Sequence, residues 1–246
     1  PTLRLRRMRR TAGIRAMFDL DIPGPAKWCW PMFVIPGIGK KEEIASMPGQ
    51  FRWSVDRVAK AVEPVVRQGV GAVLLFGQTD QPKDNDGSAA WDDNAPVQQA
   101  VRVLKSAFPE LTVITDVCLC AYTHHGHCAP LHSDGSLDND AGCTCLAKVA
   151  LSHVAAGADV VAPSAMMDGQ IATIRKALIK NGYEDTLLMA YSTKFASACY
   201  GPFRDAENSA PITIPGMPTD RQGYQASFRN PRNALLESVL DEQEGA

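Results

Sequence analysis

The sequence predicts an α/β fold of repeated strand–helix units, either a doubly wound sheet or a β/α barrel. Three observations carry this. Short apolar runs bounded by Gly, Pro or polar residues recur along the chain, amphipathic helical patterns fill the intervals, and the unit repeats at roughly 30 to 45 residues. The length of 246 residues fits one α/β barrel or two average domains.

The elements follow in order. Met-Phe-Val-Ile at 32–35 is uniformly apolar, as a buried parallel strand is. Ser54 stands as an N-cap for a helical pattern over 54–68, with Gly69 just past its end. A second strand at 73–76 precedes a helix over 96–108, and a third strand at 111–117 precedes a helix over 140–156 closed by Gly157. A fourth strand at 159–162 leads to a helix over 168–180, closed by Asn181-Gly182, and a fifth strand lies at 187–190. No G-x-G-x-x-G or G-x-x-x-x-G-K-[ST] fingerprint opens any of these helices, which weakens a nucleotide-binding version. Residues 200–225, rich in Pro, Gly, Ser and Asp, break the rhythm and read as a structureless functional segment, an active-site lid. A last helix spans 231–244. Five strands use the whole length, whereas a closed barrel needs eight.

The composition is that of an ordinary globular protein, 45% hydrophobic and 21% charged, with 25 basic and 27 acidic residues and a net charge of −2. It excludes collagen-like, disordered and disulfide-scaffold classes and gives no reason to expect nucleic acid or an anionic membrane as partner. No apolar stretch approaches the roughly 18 to 20 residues of a membrane-spanning helix. Six arginines precede the first acid, Asp19, which superficially resembles an organelle transit peptide. There is no apolar h-region, so the seven cysteines are read as those of a reducing, cytoplasmic compartment, where clustered thiols suggest metal or catalysis. The chain opens on Pro1 rather than Met, a hint that its ends are not natural.

The chemistry concentrates in the middle. Five of the seven cysteines lie within 28 residues, and all five histidines fall between 124 and 153. Asp116, Cys118 and Cys120 alternate at the end of the third strand and so face one side. A loop bending at Gly126 brings Cys128 back to them. Three thiolates with no obvious fourth cysteine match a zinc site that leaves one position open. Buried packing thiols are the competing reading, which three cysteines in eleven positions beside histidines and a carboxylate disfavour, and His124, His125 or His127 offers an alternative ligand. Cys143 and Cys145, two apart in a helix, and Cys29 and Cys199 read as packing or structural residues. Lys194 lies at the C-terminal end of the fifth strand, the end that carries barrel active sites, among Tyr191, Phe195, Ala196 and Tyr200. Desolvation there is expected to lower its pKa and free an amine for carbonyl attack. Arg204 and Arg221 can clamp a carboxylate from the lid, or simply pair with Asp205 and Asp220. Lysine, clamp and open metal site together suggest a small keto-acid substrate.

At these residues the sequence resembles the porphobilinogen synthase (5-aminolevulinate dehydratase) family. The matching stretches are Ser46-Met47-Pro48-Gly49 with Trp53-Ser54-Val55-Asp56, DVCLCAYTHHGHC from Asp116, APS and MMDG around Ser164 and Met166, YSTKFASACYGPFRDA from Tyr191, and DRQGYQ from Asp220. The resemblance implies a TIM (β/α)8 barrel, incomplete here, over 31–246, which condenses two 5-aminolevulinate molecules into porphobilinogen in tetrapyrrole synthesis. It implies an N-terminal arm at 1–30, a homo-octamer, and a cytosolic or plastid location. By position, Lys194 matches the Schiff-base lysine; Arg204, Arg221 and Gln225 match the carboxylate contacts, with Ser164 and Asp116 near the reacting groups. Cys118, Cys120 and Cys128 match the catalytic zinc ligands, and Glu237 the carboxylate near an allosteric magnesium, although a solvated helix face explains Glu237 equally well.

Departures from the pattern are Ala165 for Asp, Gln170 for Arg, Ala121 for Pro and His124 for Ser. The family's second lysine, in a V-K-P-G stretch, falls just beyond the position matching Ala246, which implies a C-terminally truncated fragment. The competing expectations are another Schiff-base aldolase-type lyase, or a non-catalytic zinc-binding remnant.

Overall fold

The computed structural model describes residues 5–9, 11, 14–15, 23–212 and 218–246. Of the expected N-terminal arm at 1–30, residues 1–4, 10, 12–13 and 16–22 lie outside the described residues.

One sheet organises the chain. Its strands are β1 (Cys29–Ile35), β2 (Lys41–Glu43), β3 (Phe51–Ser54), β4 (Ala72–Gly77), β5 (Thr112–Val117), β6 (Val160–Pro163) and β7 (Leu187–Leu188), in the order β2-β3-β1-β4-β5-β6-β7. All neighbours are parallel except β2 and β3, a hairpin added to the β1 edge. The five strands expected from apolar runs are thus consecutive neighbours, and the sequence reading missed two. The reason is physical: Lys41-Glu42-Glu43 is wholly exposed and carries no apolar signal. Its lysine sits over the Phe51 and Trp53 rings, at 3.9 and 5.1 Å. β7 is shorter than expected, but the extended course continues, since the Met189 and Tyr191 amides donate to the carbonyls of Val161 and Pro163.

The helices α1 (Val55–Arg67), α2 (Pro96–Ala107), α3 (Asn139–Ala155) and α4 (Gln170–Lys180) return the chain between strands. They pack on one face of the sheet, each against the next. Val58 and Val62 of α1 and Ala100, Val101 and Leu104 of α2 bury against Met32, Val34, Val73, Leu75 and Val113. Each fully buried Val, Ile or Leu stabilises by about 2 kcal/mol. A doubly wound sheet carries helices on both faces. Here the other face, with Phe33, Leu74, Phe76, Ile114 and Asp116, is left for a cavity, so the fold is an open arc of a β/α barrel.

Local signals set the boundaries. Ser54 occupies the N-cap of α1, but its hydroxyl donates to Asp56 at 2.6 Å and accepts from the Lys40 amide instead of capping. Asp138 caps α3 by accepting from the Ala141 amide at 3.0 Å. α4 begins at Gln170, later than expected, because Gly169 adopts a left-handed φ of 75°. α6 (Pro231–Glu244) matches its expected span. The segment 200–225 is not structureless: α5 (Gly201–Glu207) occupies its start. Phe203 of α5 packs against Phe33 and Phe76, which explains why a short Pro- and Gly-initiated stretch is ordered. Among the described residues no helix is long and apolar enough to cross a membrane.

Candidate active site

β5 delivers the first group of side chains. Asp116 lies in the strand, and the alternation continues into the turn beyond it, so Asp116, Cys118 and Cys120 line one cavity of about 400 Å³. The loop then doubles back at Gly126, whose φ of 77° is open to glycine at little cost. A Cβ there would meet the Ala210 carbonyl oxygen at 2.5 Å. This close approach returns Cys128 to its partners. The ligand atoms of Cys118, Cys120 and Cys128 lie within 4.8 Å of one another, and all three residues are buried. Among the described residues they form the one group of three or more such ligands close enough to share a metal ion.

The thiols are electrostatically linked. Cys118 and Cys120 stand 3.4 Å apart, sulfur to sulfur. Bonds from Cys118 and Cys120 hold Cys128 well below the ordinary thiol range, helped by Arg221 and Lys194 against the effect of burial. Cys118, on the donating side of those bonds, is pushed up. Three buried sulfur donors, two of them lining the cavity, fit a soft or borderline divalent cation with one position left open. The histidines stay outside this group. His127 bonds to Tyr224 Oη at 3.2 Å and to the Pro218 carbonyl at 2.9 Å, and Tyr224 in turn donates to Cys128 at 3.6 Å.

Lys194 reaches the same cavity from beyond β7. Its Nζ donates to the Ser164 carbonyl at 2.9 Å and lies over the rings of Tyr200 and Tyr191 at 5.3 and 5.7 Å. Burial does act to lower its pKa, as expected, but the negative field of Cys118, Cys128, Asp116 and Cys120 outweighs it and holds the ammonium above the usual lysine value. Asp116 is itself raised to about 6, chiefly by burial, with Lys194 and a bond from Ser164 acting in the opposite sense.

Ser164, Arg204 and Arg221 also line the cavity. Neither arginine pairs with its sequence neighbour. Asp205 instead faces Arg52 at 3.6 Å and accepts from Ser46, while Asp220 accepts from Gln222. Arg221 is buried and donates to the carbonyls of Gly126 and Ser209, at 3.0 and 2.5 Å. Gln225 is buried outside the cavity lining, with both amide atoms unpartnered. Glu237 stands apart on α6, its pKa raised by burial and by the carboxylates of Asp168, Asp241 and Glu244.

Of the other cysteines, Cys143 and Cys145 are buried in α3 as expected. Cys29 and Cys199 are exposed, so neither is a packing residue. Cys29 lies at the first position of β1, where the strand has not yet entered the core. Sequence reasoning also missed Tyr191, Tyr200, Phe203 and Glu207 as lining residues. The apolar neighbours of Lys194 hinted at the tyrosines; nothing local marked Glu207, which enters only because α5 is helical.

Comparison with known proteins gives a consistent result. A family profile described as Delta-aminolevulinic acid dehydratase matches residues 2–246. The curated protein of that name from Synechococcus elongatus is 45% identical over 250 residues, covering 100% of this chain and 74% of the relative. The one from Methanothermobacter thermautotrophicus is 46% identical over 248 residues with the same coverage. The Escherichia coli relative is 42% identical over 243 residues, covering 99% of this chain and 72% of its own length. Among solved structures, delta-aminolevulinic acid dehydratase (porphobilinogen synthase) from Toxoplasma gondii ME49, in complex with the reaction product porphobilinogen, is similar with a TM-score of 0.89 at 35% identity. That match covers 99% of this chain and 68% of the other.

Proposed function

The chain belongs to the delta-aminolevulinic acid dehydratase family, and from that premise we propose how its own side chains carry the family's reaction. The reaction is the condensation of two molecules of 5-aminolevulinate into the pyrrole porphobilinogen, a lyase step of tetrapyrrole synthesis. The observation that carries the assignment of roles is the convergence on one cavity of Lys194, two arginines, and Cys118 and Cys120, which group with Cys128 behind them.

Lys194 is the nucleophile. Its amine, once deprotonated, adds to the ketone of 5-aminolevulinate, and loss of water leaves an imine. The hydrogen bond to the Ser164 carbonyl fixes Nζ before the substrate arrives, which removes a search from the reaction. Asp116, beside Lys194 and Ser164, has a carboxyl whose pKa of about 6 suits it to hold or pass the proton at Nζ near neutral pH. Arg204 and Arg221 receive the substrate carboxylate, Arg221 pre-set by its two backbone acceptors, and Gln225, whose buried amide has no partner, is left to join them. The described parts of the segment 200–225, which bring Tyr200, Phe203, Arg204 and Arg221 to the cavity, act as its lid and keep water from the imine; residues 213–217 lie outside the described residues.

Cys118, Cys120 and Cys128 would hold zinc. Bound there, zinc would supply Lewis-acid polarisation of a substrate oxygen or nitrogen. Magnesium prefers oxygen donors. Glu237 has carboxylate neighbours on and near α6, but no three of them converge among the described residues, and we assign magnesium no step. We further propose a cytoplasmic homo-octamer joined through the arm at 1–30; the bacterial and archaeal relatives and the seven free thiols favour that compartment.

A sugar-phosphate aldolase would also use a lysine imine, and trapping separates the two. Borohydride reduction in the presence of 5-aminolevulinate is expected to add one substrate residue to the intact chain, and reduction with a ketose phosphate to add none. The reverse pattern would refute the assignment.

A further inference from the structure

Glu207 is the last residue of α5, and the sheet pins that helix on both sides of it. Ser46 Oγ donates to the Asp205 carboxylate at 2.6 Å, and Arg52 donates to the carbonyls of Asp205 and Ala206 at 2.6 and 2.7 Å. Gln78 donates to the same Ala206 carbonyl at 2.6 Å. Immediately after Glu207 the chain turns at Asn208, in a left-handed φ of 50°, and the Asn208 carbonyl accepts from Lys83 at 3.2 Å. The next carbonyl, of Ser209, accepts from Arg221. Glu207 is therefore a fixed group of the cavity wall.

Glu207 lines both the main cavity and a small recess that it shares with Gly77, Tyr122 and His153. Ser209 Oγ reaches Oε2 only at 3.3 Å, and none of the ion pairs among the described residues includes Glu207. Burial, with the charges of Cys120 and Asp116, pushes the Glu207 carboxyl well above its ordinary pKa, and Lys194 and Arg221 act in the opposite sense without pairing with it, so a ligand that brings a cation into contact with it is preferred there. The other cavity carboxyl, Asp116, already accepts from Ser164 and faces Lys194.

Resting on the reading of Lys194 as the amine that meets the substrate ketone, we propose that Glu207 is a specificity-determining residue that receives the primary ammonium of the amino-ketone substrate. The layout of charges fits. Arg204 and Arg221 serve the carboxylate end, and the ammonium, one carbon from the ketone, requires an anion near Lys194. Glu207 lies within electrostatic reach of Lys194 and shares the cavity with it. An amine-free keto acid gains nothing from Glu207.

The test is calorimetric binding of 5-aminolevulinate and of 4-oxopentanoate, which has the same carboxylate and ketone but no amine, to the full zinc-loaded chain. In Glu207→Gln, affinity for 5-aminolevulinate is expected to fall about 10- to 100-fold while that for 4-oxopentanoate is unchanged. Glu207→Ala should behave alike, which excludes substitution by the Gln amide. An equal loss for both ligands, or an undiminished preference for the amine, would overturn the proposal alone. A wild-type chain that binds neither ligand would refute the reading of the cavity, and the proposal with it.

Discussion

Lys194 donates from Nζ to the main-chain carbonyl of Ser164 at 2.9 Å. The bond ties the amine to the residue just past the end of β6, the strand next to β7, beyond whose end Lys194 lies. It also places Nζ in a cavity walled by Asp116, Cys118 and Cys120 from β5 and the turn after it, so three successive strands of the arc set the position of one nitrogen.

The thiol cluster is expected to bind about one zinc ion per chain, and Cys120→Ser to lose it. Removing one of three sulfurs leaves a two-sulfur site, too few for an open tetrahedral centre. Metal analysis after gel filtration reads the stoichiometry. Zinc retained at full stoichiometry by Cys120→Ser would transfer the ligand role to a histidine of the 124–127 loop.

Gly126→Ala is expected to destabilise the chain by about 2 to 4 kcal/mol, the sum of a left-handed non-glycine residue and an overpacked contact. The φ of 77° and the 2.5 Å approach to the Ala210 oxygen are the causes. Because the same loop returns Cys128, zinc affinity should fall in parallel. Urea midpoints and metal titration check both; an unchanged midpoint would show that the loop relaxes freely.

His153 gives the pH dependence. It is buried in α3 with both ring nitrogens unpartnered, and burial holds its pKa at about 3, against about 6.5 in the unfolded chain. The unfolded state therefore binds the extra proton first as pH falls. The contribution is fully present above pH 6.5 and is lost as pH drops toward 3, with about 2 kcal/mol gone between pH 7.5 and 5.0. His153→Leu should flatten that limb of the stability curve. A variant with the wild-type pH slope would contradict the assignment.

Arg221→Lys is expected to cost about 1 to 3 kcal/mol of stability, because a lysine cannot serve the carbonyls of Gly126 and Ser209 and still face the cavity. Affinity for 4-oxopentanoate should fall with it. Binding that survives the substitution would leave the carboxylate to Arg204 alone.

How much of this was legible in the sequence depended on where the signal lay. Asp116, Cys118, Cys120 and Gly126 were found because strand alternation and a glycine bend are local. The β2–β3 hairpin was not, since Lys41-Glu42-Glu43 reads as a solvated loop until Phe51 and Trp53 are beneath it. Glu207 was missed because its place depends on Arg52, Gln78 and Ser46, each more than 120 residues distant in sequence. The direction of the Lys194 shift failed for a similar reason: neighbours in sequence are aromatic and apolar, but the neighbours in space are thiols and a carboxylate.

Localising the trapped imine tests the central claim most directly. The chain is reduced with borohydride in the presence of 5-aminolevulinate, digested, and the modified peptide sequenced by mass spectrometry. The adduct is expected on Lys194, and absent from Lys194→Arg. An adduct on Lys83, Lys148 or another lysine, with Lys194 unmodified, would contradict the account.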